Sequence, residues 1–218
     1  MLSILCVSDL KARALPFVED MRSLAKRLDC EFVLVHDGVD VHSKGYIESV
    51  LDDAIALTHG DYILRLDDDE RCSPAMIQWL ESKAYEQFEH WSFPRAHFWH
   101  DPQTMILEQY YFPDLQIRLS TRAKSGGRHE IHAGSPWGLG QTARVCIEHW
   151  VYLAKSYEER CATAARYLQI RAGADGGPFR ACSIEDEHPE GLQVVDYTDG
   201  LIPMESVIRH TGPIRGAK

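Results

Sequence analysis

The sequence lacks several features that would assign it to a common functional class. None of its six cysteines forms a CxxC pair, which argues against a cysteine zinc site or a thioredoxin-like motif. No apolar run approaches the length of a membrane span. The formal net charge of -10 over 218 residues argues against a nucleic-acid backbone as the main partner. What remains is a chain with 44% hydrophobic residues, enough for a packed core.

The first residues also lack the signs of a secretory signal. Residues 1–7 are apolar, but no basic segment precedes them and Asp9 follows closely. We therefore expect a first strand rather than a signal peptide. Cys6 and Cys30 lie in or beside apolar runs, where a reduced cysteine acts as a small buried hydrophobe. These observations predict a cytoplasmic protein with free thiols.

A regular alternation of strand-like and helix-like segments fills the first ninety residues. The predicted strands span residues 4–7, 32–35 and 62–66, and the predicted helices span residues 15–28, 46–57 and 74–88. This order predicts an α/β fold in which helices pack on a parallel sheet.

After residue 91 the pattern changes to short β-like runs rich in aromatic residues. The predicted strands are 91–99, 105–112, 115–119 and 143–150, and a helix over 156–168 begins with the capping box Ser156 and Glu159. Beyond Gly173 glycine, proline and acids are frequent. We expect one domain over residues 1–173 and a C-terminal extension, lid or tail over residues 174–218.

The most informative motif is the acidic run Asp67-Asp68-Asp69-Glu70, which follows the third predicted strand. Adjacent carboxylates repel one another unless a cation neutralises them, and Mg²⁺ and Mn²⁺ prefer oxygen ligands. Ligands of open α/β sheets bind at the carboxyl ends of the strands. The run therefore predicts a divalent metal site at this edge, with a solvated acidic turn as the alternative.

Two further strands end in polar residues that would share this edge. Asp9 follows the first predicted strand, and Asp37 follows the second. Such an edge suits a nucleotide, whose base or ribose would donate hydrogen bonds to Asp9 or Asp37. A metal on Asp67 and Asp69 would bridge the diphosphate and offset its negative charge. For Asp37 the alternative is a turn-forming Asp-Gly pair.

Taken in order, these residues resemble the family 2 glycosyltransferases, which have the GT-A fold. The resemblance covers residues 2–170. It rests on Asp37-Gly38, the DxD-containing block 60–70, Phe93-Pro94-Arg95, the block 113–119, His129-Glu130, and Glu148-His149 with Tyr152. It implies a GT-A-type nucleotide-binding α/β/α sandwich with a mixed, mostly parallel sheet. Residues 1–90 would bind the nucleotide-sugar and residues 91–173 the acceptor.

The resemblance implies an inverting transfer of a sugar from a nucleotide-diphosphate sugar to a hydroxyl acceptor, with Mn²⁺ or Mg²⁺. Asp67 and Asp69 would be the DxD carboxylates, and Asp69 the direct metal ligand. Glu130 is the candidate general base, since in-line attack requires a group that takes the acceptor's proton. His149 is a candidate ligand of the metal or a phosphate, with a core or strand-end histidine as the alternative.

The remaining candidates would contact the donor, for which a UDP-sugar is the first expectation. The predicted nucleotide-sugar contacts are Asp9, Asp37, Asp67, Asp68 and Arg128. Arg128 lies in a short basic segment with Arg122 and Lys124. That segment would close over the donor phosphates, meet an anionic acceptor, or be an ordinary solvated loop.

The acceptor class and two rival functions stay open. The acceptor could be a glycan, a lipid-linked sugar, a small molecule, a protein or a modified DNA base. A nucleotidyltransferase would share the acids and the sheet, but residues 8–13 lack the glycine-rich loop that holds a triphosphate. A non-catalytic nucleotide-sugar-binding module would keep the fold, although the pair Asp67 and Asp69 and the presence of Glu130 argue against it.

Overall fold

A ten-stranded mixed sheet organises the described part of the protein. The computed structural model describes residues 1–36, 47–107, 111–126, 140–172, 192 and 194–197. The strands are β1 (Leu2–Ser8), β2 (Glu31–His36), β3 (Tyr62–Asp67), β4 (Glu70–Cys72), β5 (His90–Trp99), β6 (Asp101–Ile106), β7 (Asp114–Thr121), β8 (Gln141–Thr142), β9 (Ile147–His149) and β10 (Val194–Asp196). The helices are α1 (Leu15–Arg27), α2 (Leu51–Ala56), α3 (Pro74–Glu81), α4 (Val151–Ala154) and α5 (Tyr157–Ala172). Short 3-10 turns span Ile47–Ser49, Ala84–Gln87 and Arg122–Lys124.

The sheet joins a parallel first half to a mainly antiparallel second half. The main path runs β10-β6-β5-β7-β3-β1-β2. Strand β1 pairs in parallel with β2 and β3, as the alternating sequence pattern predicts. Strand β7 then pairs antiparallel with both β3 and β5. The predicted α/β class and the mixed sheet are confirmed, but among the described strands antiparallel pairs are as prominent as parallel ones, so the sheet is not mostly parallel. The junction between the halves is the β3–β7 pair.

Strand β1 is buried along its whole length because helices cover both faces of the sheet. Ile4 and Cys6 belong to the core beneath α1 and α3, together with alternate residues of β3. Leu5 and Val7 point to the other face and pack against Leu51 of α2. This alternation follows from the two-residue repeat of a strand, and it produces helix layers on both sides of the sheet.

The first-half elements match the sequence expectations closely, and the differences have local causes. Helix α3 begins where Ser73 Oγ accepts a hydrogen bond from the Met76 amide at 3.1 Å, as expected for an N-cap. It ends at Glu81, earlier than predicted, because Lys83 adopts a φ of 55°, which the α-helix does not permit. The helix predicted over 46–57 begins instead as a 3-10 turn and becomes α-helical only at Leu51.

The second half departs more from the expectations. Residues 143–150 do not form one strand, since only Ile147–His149 pair as β9 after the short β8. Residues 70–72, expected in a loop, form β4 and pair with β9. Part of the expected C-terminal extension, β10, pairs with β6, so this extension contributes to the sheet. The boundary at residue 173 stays a prediction.

Within the residues described above, no helix combines the length and the apolar character needed to cross a bilayer.

Gly60 lies in the turn before β3, where a Cβ atom would come 2.6 Å from the backbone nitrogen of Ser3. Because this nitrogen belongs to β1, a buried strand that pairs with β2 and β3, it cannot move aside without disturbing the sheet. We expect Gly60→Ala to lower the free energy of unfolding by about 1–3 kcal/mol in urea denaturation. Ser23→Ala, on the exposed face of α1, is the control. Equal, small effects of the two substitutions would contradict the close approach.

Candidate functional site

The acidic run lies in the tight connection between β3 and β4. Asp67 is the last residue of β3, and Glu70 is the first residue of β4. The Asp67 amide donates to Glu70 Oε2 at 3.0 Å, and the Trp150 amide donates to the Asp69 carbonyl at 2.8 Å. These bonds hold the turn against the segment that follows β9. The four carboxylates therefore occupy fixed positions at the carboxyl end of β3.

Asp69 is nearly fully buried and has a nitrogen partner on each oxygen. Lys155 Nζ lies 2.5 Å from Oδ2, and His149 Nε2 lies 3.3 Å from Oδ1. Burial alone would raise the pKa of Asp69, but the charge of Lys155 holds it well below its usual range. The carboxylate is therefore ionised at neutral pH and surrounded by nitrogen atoms.

Glu70 is fully buried, and two arginines neutralise it. Arg118 of β7 donates to Glu70 Oε1 at 2.7 Å and also contacts Asp67. Arg95 of β5 donates to the same Glu70 oxygen at 3.1 Å and pairs through Nε with Asp114 at 2.7 Å. Burial and the charge of Asp67 raise the pKa of Glu70, and Arg95 opposes this rise. These arginines make burial of the acidic run possible.

Asp68 and Asp9 link the acidic run to the end of β1. Ser8 Oγ donates to Asp68 Oδ2 at 2.9 Å, which joins the carboxyl ends of β1 and β3. Burial and the charge of Asp69 raise the pKa of Asp68 to about 6. The Asp9 carboxylate is engaged by both terminal nitrogens of Arg13, at 3.1 and 2.9 Å. A nucleotide that used Asp9 would have to share it with Arg13.

Two histidines extend the site into the second half of the sheet. His149 Nδ1 lies 3.0 Å from His97 Nδ1, and His97 Nε2 lies 3.2 Å from Asp114 Oδ2. Burial and the charge of Arg95 lower the pKa of His149 to about 3, and burial also lowers the pKa of His97. Both imidazoles are therefore neutral at pH 7. An unbroken series of contacts connects Asp69 to Asp114 through the two rings.

Five of the eight residues predicted for the site lie in the described part of the chain. Asp69 contacts His149, which is 80 positions away in the sequence, whereas Asp67 contacts Arg118 and Asp68 contacts Ser8. Asp9 lies at the same edge of the sheet, at the end of β1. The other three candidates, Asp37, Arg128 and Glu130, lie outside the described residues.

Sequence reasoning named five further residues of the site neither as catalytic nor as donor or metal ligands, although three of them lie in the blocks on which the resemblance rests. They are Arg95, His97, Asp114, Arg118 and Lys155. A signal existed for Arg118, because a charged residue between apolar ones in a predicted strand must find a buried partner. Lys155 had no comparable signal, since it stands directly before the capping box of α5 like an ordinary surface residue.

The donor atoms at the turn suit a hard divalent cation. In the described ranges, no set of three or more His, Cys, Asp or Glu side chains is arranged to hold a metal. Asp69 and His149 nevertheless offer an oxygen and a nitrogen, and the buried Asp67 Oδ1 accepts no hydrogen bond from the described residues, although Arg65 Nε lies 3.8 Å away. Mg²⁺ sites commonly use one or two carboxylates and complete the shell with water and substrate phosphates. The residues present fit such a site.

Neither a family model nor a curated protein sequence matches this chain.

Replacing Arg95 tests whether the stability of the protein depends on the balance of buried charges in the site. Arg95 contacts Glu70 and Asp114 and is itself largely buried. Arg95→Met keeps much of the side-chain volume and leaves both carboxylates short of a partner, so we expect unfolding free energy to fall by about 3–5 kcal/mol. The control is Arg22→Met, which removes an exposed arginine paired with Glu19 at 3.4 Å and should change it by less than about 1 kcal/mol. Similar losses in both variants, measured by urea denaturation, would show that the buried network is not required for stability.

Proposed function

We propose that this protein is a metal-dependent inverting glycosyltransferase, which moves a sugar from a nucleotide-diphosphate sugar to a hydroxyl acceptor. A UDP-sugar is the proposed donor and Mn²⁺ or Mg²⁺ the proposed cofactor. The proposal combines the ordered motifs of the sequence with the arrangement of polar groups at the carboxyl end of β3.

A count of protons in the histidine series carries the proposal. Three contacts connect Asp114, His97, His149 and Asp69, and each needs one proton if it is a hydrogen bond. Two neutral imidazoles supply only two protons, because each ring carries one. One contact must therefore lack a proton. In that contact two lone pairs face each other without a proton between them. A cation bound between the two atoms would remove their repulsion.

The contact between Asp69 and His149 is the one that we expect to lack a proton. At 3.3 Å it is the longest of the three, and it lies beside Asp67 and Asp68. At the other end of the series, His97 Nε2 and Asp114 Oδ2 lie at hydrogen-bond distance, 3.2 Å. With His97 donating to Asp114, the tautomer of His149 leaves the Nε2 lone pair directed at Asp69. A neutral imidazole nitrogen beside a carboxylate oxygen is a suitable donor pair for Mn²⁺.

A divalent cation held there would offset the charge that develops on the departing diphosphate. Asp69 and His149 would bind this cation, with Asp67 as a further ligand or a contact to the donor. Asp68, Asp9 and Asp37 are the proposed contacts for the nucleoside and sugar, and Arg128 for the phosphates. Glu130 is the proposed general base, which takes the proton from the acceptor hydroxyl during the attack.

The acceptor, on this proposal, is a glycan, a lipid-linked sugar, a small molecule, a protein or a modified DNA base. Among the described residues no bilayer-spanning helix is present, and we propose a cytoplasmic location. Residues 1–90 would form the donor half, residues 91–173 the acceptor half, and residues 174–218 an extension or lid.

Donor binding can be tested by thermal shift with UDP, GDP, CDP, TDP and UDP-sugars in Mn²⁺, Mg²⁺ or EDTA. A ligand at 100 times its dissociation constant should stabilise the folded protein by about 2.7 kcal/mol. We expect a metal-dependent shift for one nucleotide, and its loss in Asp69→Asn. Asp53→Asn, on the exposed side of α2, is the matched control.

The outcomes of this panel separate the rival functions. A shift that survives in Asp69→Asn would remove the metal role from this residue. Triphosphate binding with release of pyrophosphate would support a nucleotidyltransferase. Nucleotide-sugar binding with neither transfer nor hydrolysis would support a non-catalytic module.

Glu130→Gln tests the proposed base separately from the donor site. An amide of nearly the same size cannot accept the acceptor's proton, so turnover should fall by about 10²–10⁴-fold while the thermal shift with donor is kept. Glu158→Gln, exposed at the start of α5, should leave turnover unchanged. The readout is release of the nucleoside diphosphate with and without acceptor. Full turnover in Glu130→Gln would show that another group acts as base.

A further inference from the structure

Lys155 places an ammonium group on the carboxylate that the proposed cation would need. Its Nζ lies 2.5 Å from Asp69 Oδ2, while His149 lies on Oδ1. Both oxygens of Asp69 are thus engaged, one of them by a full positive charge. The Lys155 side chain is only 19% exposed, so this is not an ordinary surface ion pair.

The backbone on both sides of Lys155 is fixed by hydrogen bonds. The Lys155 amide donates to the Val151 carbonyl at 3.1 Å, which closes the end of α4. Directly after it, Ser156 Oγ accepts from the Glu159 amide at 3.2 Å, and Glu159 Oε2 accepts from the Ser156 amide at 2.9 Å. The flexible four-carbon stem is the part of Lys155 that can move. The ammonium can leave Asp69 without any change in the main chain.

An ammonium and a divalent cation compete for Asp69. The metal would lie between Asp69 Oδ1 and His149 Nε2, whereas the ammonium lies on Oδ2, so two positive charges would share one carboxylate and repel each other at short distance. Lys155 on Oδ2 therefore weakens metal binding at Oδ1 and His149, and this binding is strongest once Lys155 has moved away from the carboxylate. The displaced ammonium then needs another anionic partner, and the diphosphate of the donor would bring one to the same edge of the sheet.

We propose that Lys155 is a built-in counter-ion, which holds Asp69 in the metal-free protein and transfers to the donor diphosphate when the metal binds. This inference rests on the proposed function. This exchange of partners by Lys155 makes metal and donor binding cooperative. The metal alone leaves the Lys155 ammonium without an anionic partner, and the diphosphate alone would draw the ammonium away from Asp69 and leave that carboxylate without a cation. The metal alone binds weakly, and the nucleotide diphosphate strengthens its binding.

The test is titration of Mn²⁺ into the full chain, with free Mn²⁺ measured by electron paramagnetic resonance, in the absence and presence of UDP. Removing the competing ammonium in Lys155→Met should tighten Mn²⁺ binding without nucleotide by about tenfold or more, the effect of one charged hydrogen bond. UDP should strengthen Mn²⁺ binding in the wild type by about 5–150-fold, and by clearly less in Lys155→Met.

Two controls accompany this titration. Lys26→Met makes the same change in net charge on the exposed face of α1 and should leave Mn²⁺ binding unchanged. Asp69→Asn should abolish it. Circular dichroism melting verifies that each variant is folded, and Lys155→Gln replaces Lys155→Met if the latter does not fold.

The possible failures are distinguishable. If Mn²⁺ binds the wild type through Asp69, but Lys155→Met binds it equally or more weakly, the counter-ion role is overturned and the metal site stands. If Mn²⁺ binds neither protein, or binds Asp69→Asn as well as the wild type, the metal site of the proposed function is overturned together with the role of Lys155.

Discussion

Compensation of buried negative charge is the constraint on which this site depends. Asp67, Asp69 and Glu70 are packed within four residues of chain, and Glu70 is completely removed from solvent. Isolated carboxylates in such surroundings would be strongly unfavourable. They are tolerated because Arg118, Arg95 and Lys155 supply positive charge at hydrogen-bond distance. The protein itself neutralises much of the acidic run, which the sequence pattern had attributed to a metal alone.

The topology of the sheet explains how these cations reach the acids. Antiparallel β7 lies directly beside β3, which brings Arg118 next to Asp67 and Glu70. Strand β5 follows on the other side of β7 and carries Arg95 and His97. Strand β9 pairs with both β4 and β5, and it aligns His149 with Glu70 and with His97. The second half of the chain thus completes a site that the first half begins.

The same arrangement neutralises the carboxylates with arginines on one side of the site and with a lysine on the other. Around Asp114 and Glu70, guanidinium groups satisfy the carboxylates. Around Asp69 the positive charge is a lysine on a flexible stem, and the adjacent imidazole is neutral. A rigid arginine pair suits a structural role, whereas a movable ammonium suits a position that a ligand will occupy. This difference is why the proposed chemistry centres on Asp69.

Local sequence signals determined the first half of the fold. Apolar strands between amphipathic helices and the N-cap at Ser73 are short-range patterns, and the structure follows them. The capping box at Ser156 is a local signal of the same kind in the second half. The acidic run could be located at a strand end for the same reason. The second half was less predictable, because short strands such as β4 and β9 exist only through their pairing with each other. Their residues carry no periodicity of their own.

The sequence by itself therefore determined the α/β class, the order of the early elements and the presence of a cluster of acids at the end of β3. Only the tertiary structure decided which groups contact those acids, since Arg95, Arg118, His149 and Lys155 lie 25 to 86 positions from their partners. Contacts over such separations depend on strand register and helix placement, and no local pattern encodes them. The pairing of Asp69 with both His149 and Lys155, from which the proposed metal site and its counter-ion follow, belongs to that second class.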